Sequence, residues 1–387
     1  MKKEIIGVVG AGSMGSGIAQ LAASNGHDVK IFESNAEAAK KSVQNLDKIL
    51  TRLIEKEKIN ASDKKEIQNR MVYVSGLEEM KDCALVIEAI IEDIDIKKSV
   101  FKSLESVVSK DCILASNTSS LSIASIGSVC EDDERVIGIH FFNPAALMPL
   151  VEIIPSLASN DGVVLQAKKL IDSWGKKTVL AKDTPGFIVN RIARPFYGEA
   201  IRILEEGIAD IATIDQTMKD HGFKMGPFEL MDYIGNDVNY TVTETVFREF
   251  FYDPRYKPSF TQKRMMESGR LGKKTGRGYY DYSEGAEHPK PSDNKEIKSR
   301  IFQRIICMLI NEAVDALYLN VASAEDIETA MTQGVNYPKG LLAWADEIGI
   351  KAVHDQLAKM QAAYGEDRYR PSLLLKLMAS KESKFFN

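Results

Sequence analysis

The sequence is poor in cysteine and in long apolar runs. Its four cysteines show no CxxC spacing, which argues against a disulfide framework and against a zinc site. We expect them to be buried thiols in a reducing compartment. No apolar run approaches the roughly 18–20 residues of a membrane-spanning helix, and the N-terminal run Ile5–Val9 is too short for a signal peptide. These absences predict a cytoplasmic protein that does not span a membrane.

Positive charge is not in excess either. The chain has 50 Lys and Arg residues against 55 Asp and Glu residues, a net charge of −5. Because a nucleic-acid partner requires a basic surface, nucleic acid is not an expected partner, and an anionic ligand would need a local basic patch. The apolar fraction of 44% is that of a globular protein, and the length of 387 residues predicts two or three domains.

A repeating strand–helix pattern dominates the first half of the chain. The apolar run Ile5–Val9, a helix at Ser13–Ser24 and a strand at Asp28–Phe32 form one βαβ unit. The polar stretch Ala36–Asn69 predicts two helices broken near Asn60. Further strands are expected at Met71–Val74, Ala84–Glu88, Cys112–Ser116, Val136–His140 and Leu150–Ile154. The alternation predicts an α/β, Rossmann-type doubly wound sheet over residues 1–184.

After Asp183 only helical patterns remain, and they contain an internal repeat. A pattern that begins at Glu199-Ala200 recurs 113 residues later, at Glu312-Ala313. The matching pairs at this offset include Leu204 and Leu317, Ile214 and Ile327, Met218 and Met331, and Tyr256 and Tyr369. With one inserted residue, Gly235 matches Gly349. Chance similarity between helices is the alternative, but Pro, Gly and Asp positions also agree. The sequence therefore predicts an all-α C-terminal domain in two tandem copies, residues 185–284 and 292–387.

A glycine-rich turn follows the first predicted strand, Gly10-Ala11-Gly12-Ser13-Met14-Gly15. This GxGxxG spacing is typical of loops that present backbone N–H groups and a helix N-terminus to a dinucleotide pyrophosphate. The hexamer alone is weak evidence, but Glu33 ends the second strand where a carboxylate is expected to bind the adenosine ribose. Because this carboxylate would repel a 2′-phosphate, the pattern predicts NAD rather than NADP.

His140 and Glu152 are candidates for proton transfer. His140 ends a predicted strand at the carboxyl edge of the sheet, where ligands bind in such folds. Glu152 lies in the apolar run LVEII, where a carboxylate needs a partner. A His–Glu pair would orient the imidazole and leave its other nitrogen to accept a substrate proton. A histidine that only satisfies a hydrogen bond in the core is the alternative.

For two further polar residues, the sequence does not distinguish a functional role from a structural one. Ser119 lies in the run SNTSS after a predicted strand, where a hydroxyl could contact a substrate or merely cap the next helix. Asn190 lies in DTPGFIVNR, where Pro185 suits the first turn of a helix and the asparagine needs a partner. Packing and function are equally consistent with both positions.

Together these residues resemble the L-3-hydroxyacyl-CoA dehydrogenase family of fatty acid β-oxidation and its 3-hydroxybutyryl-CoA dehydrogenase relatives. The resemblance spans residues 1–282 and rests on motifs in the family's order: GAGSMG, SNTSS, HFFNP with VEII, DTPGFIVNR, MGPFELMDYIG and LGKKTGRGYYDY. It implies NAD-dependent, reversible oxidation of an (S)-3-hydroxyacyl-CoA to the 3-ketoacyl-CoA.

The resemblance also implies roles for individual residues. His140 would be the general base, Glu152 its partner, and Ser119 and Asn190 substrate contacts. Arg52, beside Lys48, resembles the basic helix that meets the CoA phosphates, although its spacing from Glu33 is shorter than in some relatives. Beyond the glycine loop and Glu33, the cofactor contacts would be Glu92, Lys97, Asn143 and Lys274.

The second helical copy is not expected to be a second active site. It has Gln303 in the place of Asn190 and lacks an equivalent of DTPGF. In single-copy relatives this domain mediates dimerisation, so the tandem copy could imitate a dimer interface within one chain. This predicts a monomer, with a homodimer as the alternative.

Two other functions remain open from the sequence. One is a dehydrogenase of a free hydroxy acid or sugar acid, although the extra helical stretch Ala36–Asn69 favours a CoA thioester. The other is a non-catalytic NAD-binding protein, against which the intact set of Ser119, His140, Glu152 and Asn190 argues.

Overall fold

An eight-stranded sheet organises the first part of the chain. The computed structural model describes residues 3–386, which form two units divided between Thr184 and Pro185. The strands are β1 Ile5–Val9, β2 Asp28–Phe32, β3 Met71–Val74, β4 Leu85–Glu88, β5 Ile113–Ser116, β6 Val136–Phe141, β7 Leu150–Pro155 and β8 Lys177–Leu180. Their order is β3-β2-β1-β4-β5-β6-β7-β8, and all neighbours are parallel except the antiparallel pair β6 and β7.

Apolar strands occupy the centre of this sheet because helices cover it. Every residue of β4, β5 and β6 is buried, as expected of strands covered on both faces. The helices are α1 Ser13–Ser24, α2 Ala36–Glu55, α3 Ala61–Arg70, α4 Ile94–Glu105, α5 Ile123–Gly127 and α6 Asp161–Ser173. The predicted break near Asn60 is confirmed, since Asn60 caps α3 and forms a capping box with Asp63.

The sequence pattern located seven of the eight strands to within a residue at each end and missed β8. This strand has only four residues, Lys177–Leu180, and only Val179 is buried. It therefore lacks the apolar run that reveals the central strands.

Helices make up the second unit, apart from two isolated β-bridges around Arg277. They are α7 Val189–Ile192, α8 Arg194–Glu205, α9 Ile211–Asp220, α10 Pro227–Ile234, α11 Asn236–Glu249, α12 Phe260–Glu267, α13 Lys295–Tyr318, α14 Ala324–Thr329, α15 Leu341–Ile348, α16 Ile350–Tyr364 and α17 Leu373–Lys381. The expected change from an α/β to an all-α pattern after Asp183 is confirmed.

The expectation that Pro185 lies in the first turn of a helix is wrong. Gly186 and Phe187 have φ angles of 72° and 47°, in the left-handed region, which an α-helix cannot include. The first helix of the second unit therefore begins only at Val189.

The cysteine expectation needs one correction. Cys83, Cys112 and Cys307 are buried, but Cys130 is only half-buried. Burial raises the pKa of all four thiols to about 12, so they remain protonated at neutral pH. No helix among the described residues is both long and apolar enough to cross a bilayer.

Candidate active site

The carboxyl ends of the central strands bring the predicted site residues of the first unit to one edge of the sheet. Val9, at the end of β1, lies beside Glu88 of β4, which in turn lies beside Ser116 of β5. The strand β6 continues the row, with His140 as its penultimate residue. The glycine loop, the SNTSS run and the HFFNP run all start from this edge, where ligands bind in open α/β sheets.

The glycine loop leaves room for a dinucleotide. Gly10 has a φ of 98°, and a Cβ there would lie 2.7 Å from the carbonyl oxygen of Ala89. A Cβ on Gly15 would lie 1.9 Å from the carbonyl oxygen of Gly10, so the helix could not pack against the turn. A Cβ on Gly12 would meet nothing within 4 Å. The loop is therefore tight on the protein side and open at Gly12, as a pyrophosphate-binding turn requires.

Ser13 and Met14 form the first turn of α1, behind this opening. Helix α1 begins at Ser13, and its N-cap, Gly12, has no side chain to satisfy the free N–H groups. These N–H groups and the helix dipole favour an anion at this position.

Glu33 lies next to the glycine loop. Its carboxylate accepts hydrogen bonds from the backbone N–H groups of Ala11, at 2.8 Å, and of Asn35, at 3.0 Å. These bonds hold the half-buried carboxylate at the end of β2, with lone pairs remaining for ribose hydroxyls. The residues present therefore fit the adenosine end of NAD.

His140 and Glu152 are in direct contact, as the sequence led us to expect. They are paired across the antiparallel strands β6 and β7, and the distance from His140 Nδ1 to Glu152 Oε2 is 2.6 Å. Glu152 is fully buried and His140 is 6% exposed. A buried carboxylate at this distance fixes the orientation of the imidazole.

Ser119 is held by the carboxylate of Glu92. Glu92 Oε1 accepts hydrogen bonds from Thr118 Oγ1 at 2.6 Å and from the backbone N–H of Ser119 at 3.0 Å. Burial acts to raise the pKa of Glu92, but the charge of Lys97 and the hydrogen bonds from Thr118 and Ser119 outweigh it and lower the pKa. Glu92 is therefore an anion that clamps the SNTSS run.

Capping does not explain Ser119 itself. The N-cap of α5 is Ser122, whose side chain accepts from the N–H of Ser125, and Thr118 Oγ1 accepts from the N–H of Leu121. Ser119 performs neither function and is half-buried at the carboxyl edge of the sheet. The Ser119 hydroxyl therefore caps no helix, and it donates instead to Glu92 Oε1 at 3.4 Å.

The other predicted contacts lie in different surroundings. Lys97 is buried and contacts Glu88 at 2.6 Å and Glu92 at 3.3 Å. Asn143 is exposed after β6, and Arg52 is exposed near the C-terminal end of α2. The remaining two are in the helical unit, where Asn190 is half-buried on α7 and Lys274 forms an ion pair with Asp237 at 2.6 Å.

Sequence reasoning missed three residues that organise this edge. Glu88 is fully buried and bonds both Lys97 and Ser116. Asn117 accepts the backbone N–H of Phe141 at 2.8 Å and so connects the SNTSS run to the strand that carries His140. Asp183 accepts N–H groups of Ile123 and Ala124 at the start of α5. The signal for Glu88 was present, as a carboxylate at the end of a wholly apolar strand.

Two family models match the chain. Residues 5–184 match the family described as 3-hydroxyacyl-CoA dehydrogenase, NAD binding domain. Residues 186–282 and 301–384 match the family described as 3-hydroxyacyl-CoA dehydrogenase, C-terminal domain.

Individual relatives match over the full chain or over its first three quarters. The 3-hydroxyadipyl-CoA dehydrogenase of Escherichia coli (strain K12) is 36% identical, over 99% of this chain and 98% of its own. A probable 3-hydroxybutyryl-CoA dehydrogenase of Bacillus subtilis (strain 168) is 41% identical, over 73% of this chain and 99% of its own.

A solved structure has the same architecture. The crystal structure of 3-hydroxybutyryl-CoA dehydrogenase from Escherichia coli K12 superposes with a TM-score of 0.91 and 35% identity, over 99% of both chains. The chain therefore belongs to the 3-hydroxyacyl-CoA dehydrogenase family and is an NAD-dependent dehydrogenase of that family.

Proposed function

We propose that this protein catalyses the reversible oxidation of the 3-hydroxyl of an (S)-3-hydroxyacyl-CoA, with His140 as general base. The observation that carries the proposal is the 2.6 Å contact between His140 Nδ1 and the buried Glu152 carboxylate. Bound NAD supplies the acceptor for the hydride that leaves C3. The chain's own residues bind and orient the substrate and the cofactor, and they move the proton.

The two imidazole nitrogens of His140 have different roles. Glu152 accepts the Nδ1–H of His140, which selects the tautomer in which Nε2 carries the lone pair. Nε2 then takes the proton of the 3-hydroxyl as the carbonyl forms, and the Glu152 carboxylate stabilises the resulting imidazolium. In the reverse direction His140 returns this proton to the oxygen of the 3-ketone.

Ser119 is proposed to bind a substrate oxygen, and the substrate contact of Asn190 stays a prediction. Glu92 accepts the backbone N–H of Ser119, and this bond fixes the position of the Ser119 backbone, and so of its hydroxyl, at the sheet edge. Glycine-loop N–H groups, Glu33, Glu92 and Asn143 would hold the cofactor. The cofactor role of Lys97 stays a prediction, since its ammonium is buried and paired with Glu88 and Glu92. The cofactor role of Lys274 stays a prediction, since its ammonium is paired with Asp237 within the helical unit.

A CoA thioester is proposed over a free acid because of α2. This helix exposes Lys48 and Arg52 one turn apart, which gives an acidic protein a local positive surface. Cations of this kind suit the phosphates of CoA. The relatives are named for 3-hydroxyadipyl-CoA and 3-hydroxybutyryl-CoA, which are both thioesters.

We expect the enzyme to oxidise NADH rapidly with acetoacetyl-CoA and at least about a hundredfold more slowly, by kcat/KM, with free acetoacetate. The reason is that binding energy from the remote CoA part is used to orient the reacting carbonyl. Absorbance at 340 nm measures both rates. Equal rates with the two substrates would favour a free hydroxy acid instead.

We further propose that the helical unit is a tandem pair of copies, residues 185–284 and 292–387, related like the subunits of a dimer. The helices α8 to α12 are followed in the same order by α13 to α17. Gly235 between α10 and α11, and Gly349 between α15 and α16, have nearly the same backbone angles, with φ values of 107° and 98°.

In each proposed copy, a carboxylate accepts backbone N–H groups at the start of the equivalent helix. Asp215 accepts the N–H groups of Phe228 and Glu229, both at 2.9 Å, at the start of α10. Glu328, 113 residues later, accepts the N–H groups of Leu342 and Ala343 at the start of α15. Burial raises the pKa of both carboxyls, that of Asp215 to about 7.

Buried ion pairs are exchanged between the two copies. Arg304 of the second copy contacts Glu199 of the first at 2.8 Å, and Arg191 of the first contacts Glu312 of the second at 3.6 Å. Two tyrosine hydroxyls make equivalent reciprocal contacts: Tyr369 donates to Glu199 at 3.0 Å, and Tyr256 donates to Glu312 at 2.6 Å. Reciprocal contacts between equivalent residues are the mark of an isologous, two-fold interface.

Because this interface is satisfied within one chain, we expect a monomer in solution. Light scattering should give the mass of one chain, 43.0 kDa, at micromolar concentration. A stable species of twice that mass would contradict the proposal if it is held together through α8 or α13. Cross-linking at the exposed Lys257 of the first copy and the exposed Lys295 at the start of α13 would show which surfaces meet.

A further inference from the structure

Glu88 is a buried carboxylate for which the proposed reaction has no direct use. It is the last residue of β4 and is 0% exposed. Its Oε1 accepts from Lys97 Nζ at 2.6 Å and from the N–H of Ile90 at 2.7 Å, while Oε2 accepts from Ser116 Oγ at 2.7 Å. Both oxygens are thus committed inside the protein, and neither is exposed to solvent.

Two hydrogen-bond routes run from Glu88 into the SNTSS run, the first to Thr118 and the second to Ser119. Along the first, Ser116 donates to Glu88, and its oxygen accepts the N–H of Thr118 at 3.2 Å. Along the second, Lys97 lies between Glu88 and Glu92, and Glu92 accepts from the N–H of Ser119. The two routes therefore fix the SNTSS run at its start and at its centre.

We propose that Glu88 is a positioning residue that sets the place of the Ser119 hydroxyl through Ser116 and through the Lys97–Glu92 pair. The inference rests on the proposed function, because Ser119 is there a substrate contact. Lys97 is nearer to Glu88 than to Glu92, so the ammonium is drawn into the core and the Glu92 carboxylate is left to hold Ser119.

Net stability is a weak explanation for this arrangement. The desolvation of two buried charges offsets most of their mutual attraction, so a buried ion pair contributes little compared with an apolar pair of the same size. Removing only the charge of Glu88 would leave Lys97 with Glu92 as its sole anionic partner. The ammonium would then compete with the N–H of Ser119 for the same carboxylate, and the loop would shift.

The test is a double-mutant cycle with the full-length enzyme. We expect Glu88→Gln to lower kcat about ten- to a hundredfold at saturating NAD and 3-hydroxybutyryl-CoA, since a displacement of about 1 Å has effects of this size. In a Ser119→Ala background the same substitution should change kcat less than about twofold, because the group through which it acts is gone. A merely structural residue would cost the same factor in both backgrounds.

The matched control is Glu105→Gln on α4, the helix that carries Lys97. Glu105 accepts the N–H groups of Glu131 and Asp132 at 2.9 Å and has no contact with the SNTSS run. The control should leave kcat within about twofold of wild type. If Glu88→Gln does not fold, Ser116→Ala cuts the first route alone and should lower kcat about three- to tenfold, with the same dependence on Ser119.

Each outcome bears on the proposal. An unchanged kcat in Glu88→Gln, equal losses in both backgrounds, or no effect of Ser119→Ala would overturn it. A wild-type enzyme that does not oxidise 3-hydroxyacyl-CoA at all would instead defeat the proposed function, so the two failures are distinguishable.

Discussion

His140→Gln is expected to lower kcat by about 10²–10⁴, the range that a positioned general base contributes. Glutamine keeps much of the volume of histidine and can still bond the buried Glu152, but it cannot accept the proton of the 3-hydroxyl at neutral pH. The rate is measured at 340 nm with 3-hydroxybutyryl-CoA and NAD. The affinity for NAD, measured by titration, should change little, because the glycine loop and Glu33 lie on other strands.

The control for this substitution is His27→Gln. His27 is the other buried histidine of the first unit, 7% exposed, and its Nδ1 lies 3.0 Å from the carbonyl oxygen of Glu4. Its loss should affect stability while kcat stays near wild type. A near-wild-type kcat in His140→Gln would exclude His140 as the base, whatever the behaviour of the control.

Glu312→Ala and Glu199→Ala should each destabilise the helical unit by about 3 kcal/mol, because each leaves a buried arginine without one of its carboxylates. Both residues are at most 1% exposed. The cost lies at the lower end of the usual range for broken buried pairs, since Asp315 still pairs with Arg191 at 2.8 Å and Glu206 still pairs with Arg304 at 2.6 Å. Similar costs are expected because the two glutamates occupy equivalent places in the proposed tandem copies.

Tryptophan fluorescence can follow the helical unit alone. The chain has two tryptophans, Trp174 in the first unit and Trp344 in the second, so a Trp174→Phe background reports on unfolding of the second unit. Urea titrations in that background give the free energy of unfolding. Glu249→Ala removes an exposed carboxylate paired with Arg248 and should cost less than about 1 kcal/mol. A large cost for only one of the two buried glutamates would argue against a two-fold relation between the copies.

The local sequence pattern was sufficient to predict most of the fold. The central strands are continuous apolar runs because helices cover both faces of the sheet, and this makes them visible in sequence. The capping box at Asn60 and Asp63 is equally local. The edge strand β8 is partly exposed and short, so its sequence carries no comparable signal.

For the site, the sequence determined which chemical groups exist, and the strand ends predicted that several would meet. His140 and Glu152 could be paired from sequence because one ends an apolar strand and the other interrupts an apolar run. Their contact at 2.6 Å depends on the antiparallel register of β6 and β7, which no residue spacing specifies.

The sequence by itself determined the NAD-binding loop, the family and the change from an α/β to an all-α pattern, because each depends on residues close together in the chain. Only the tertiary structure decided the arrangement of buried charge. Glu88 stands on a strand and Lys97 on the next helix, and Glu312 meets Arg191 across more than a hundred residues of chain. Whether a buried carboxylate has a partner is a property of packing and register, and for that reason it becomes visible only in the folded protein.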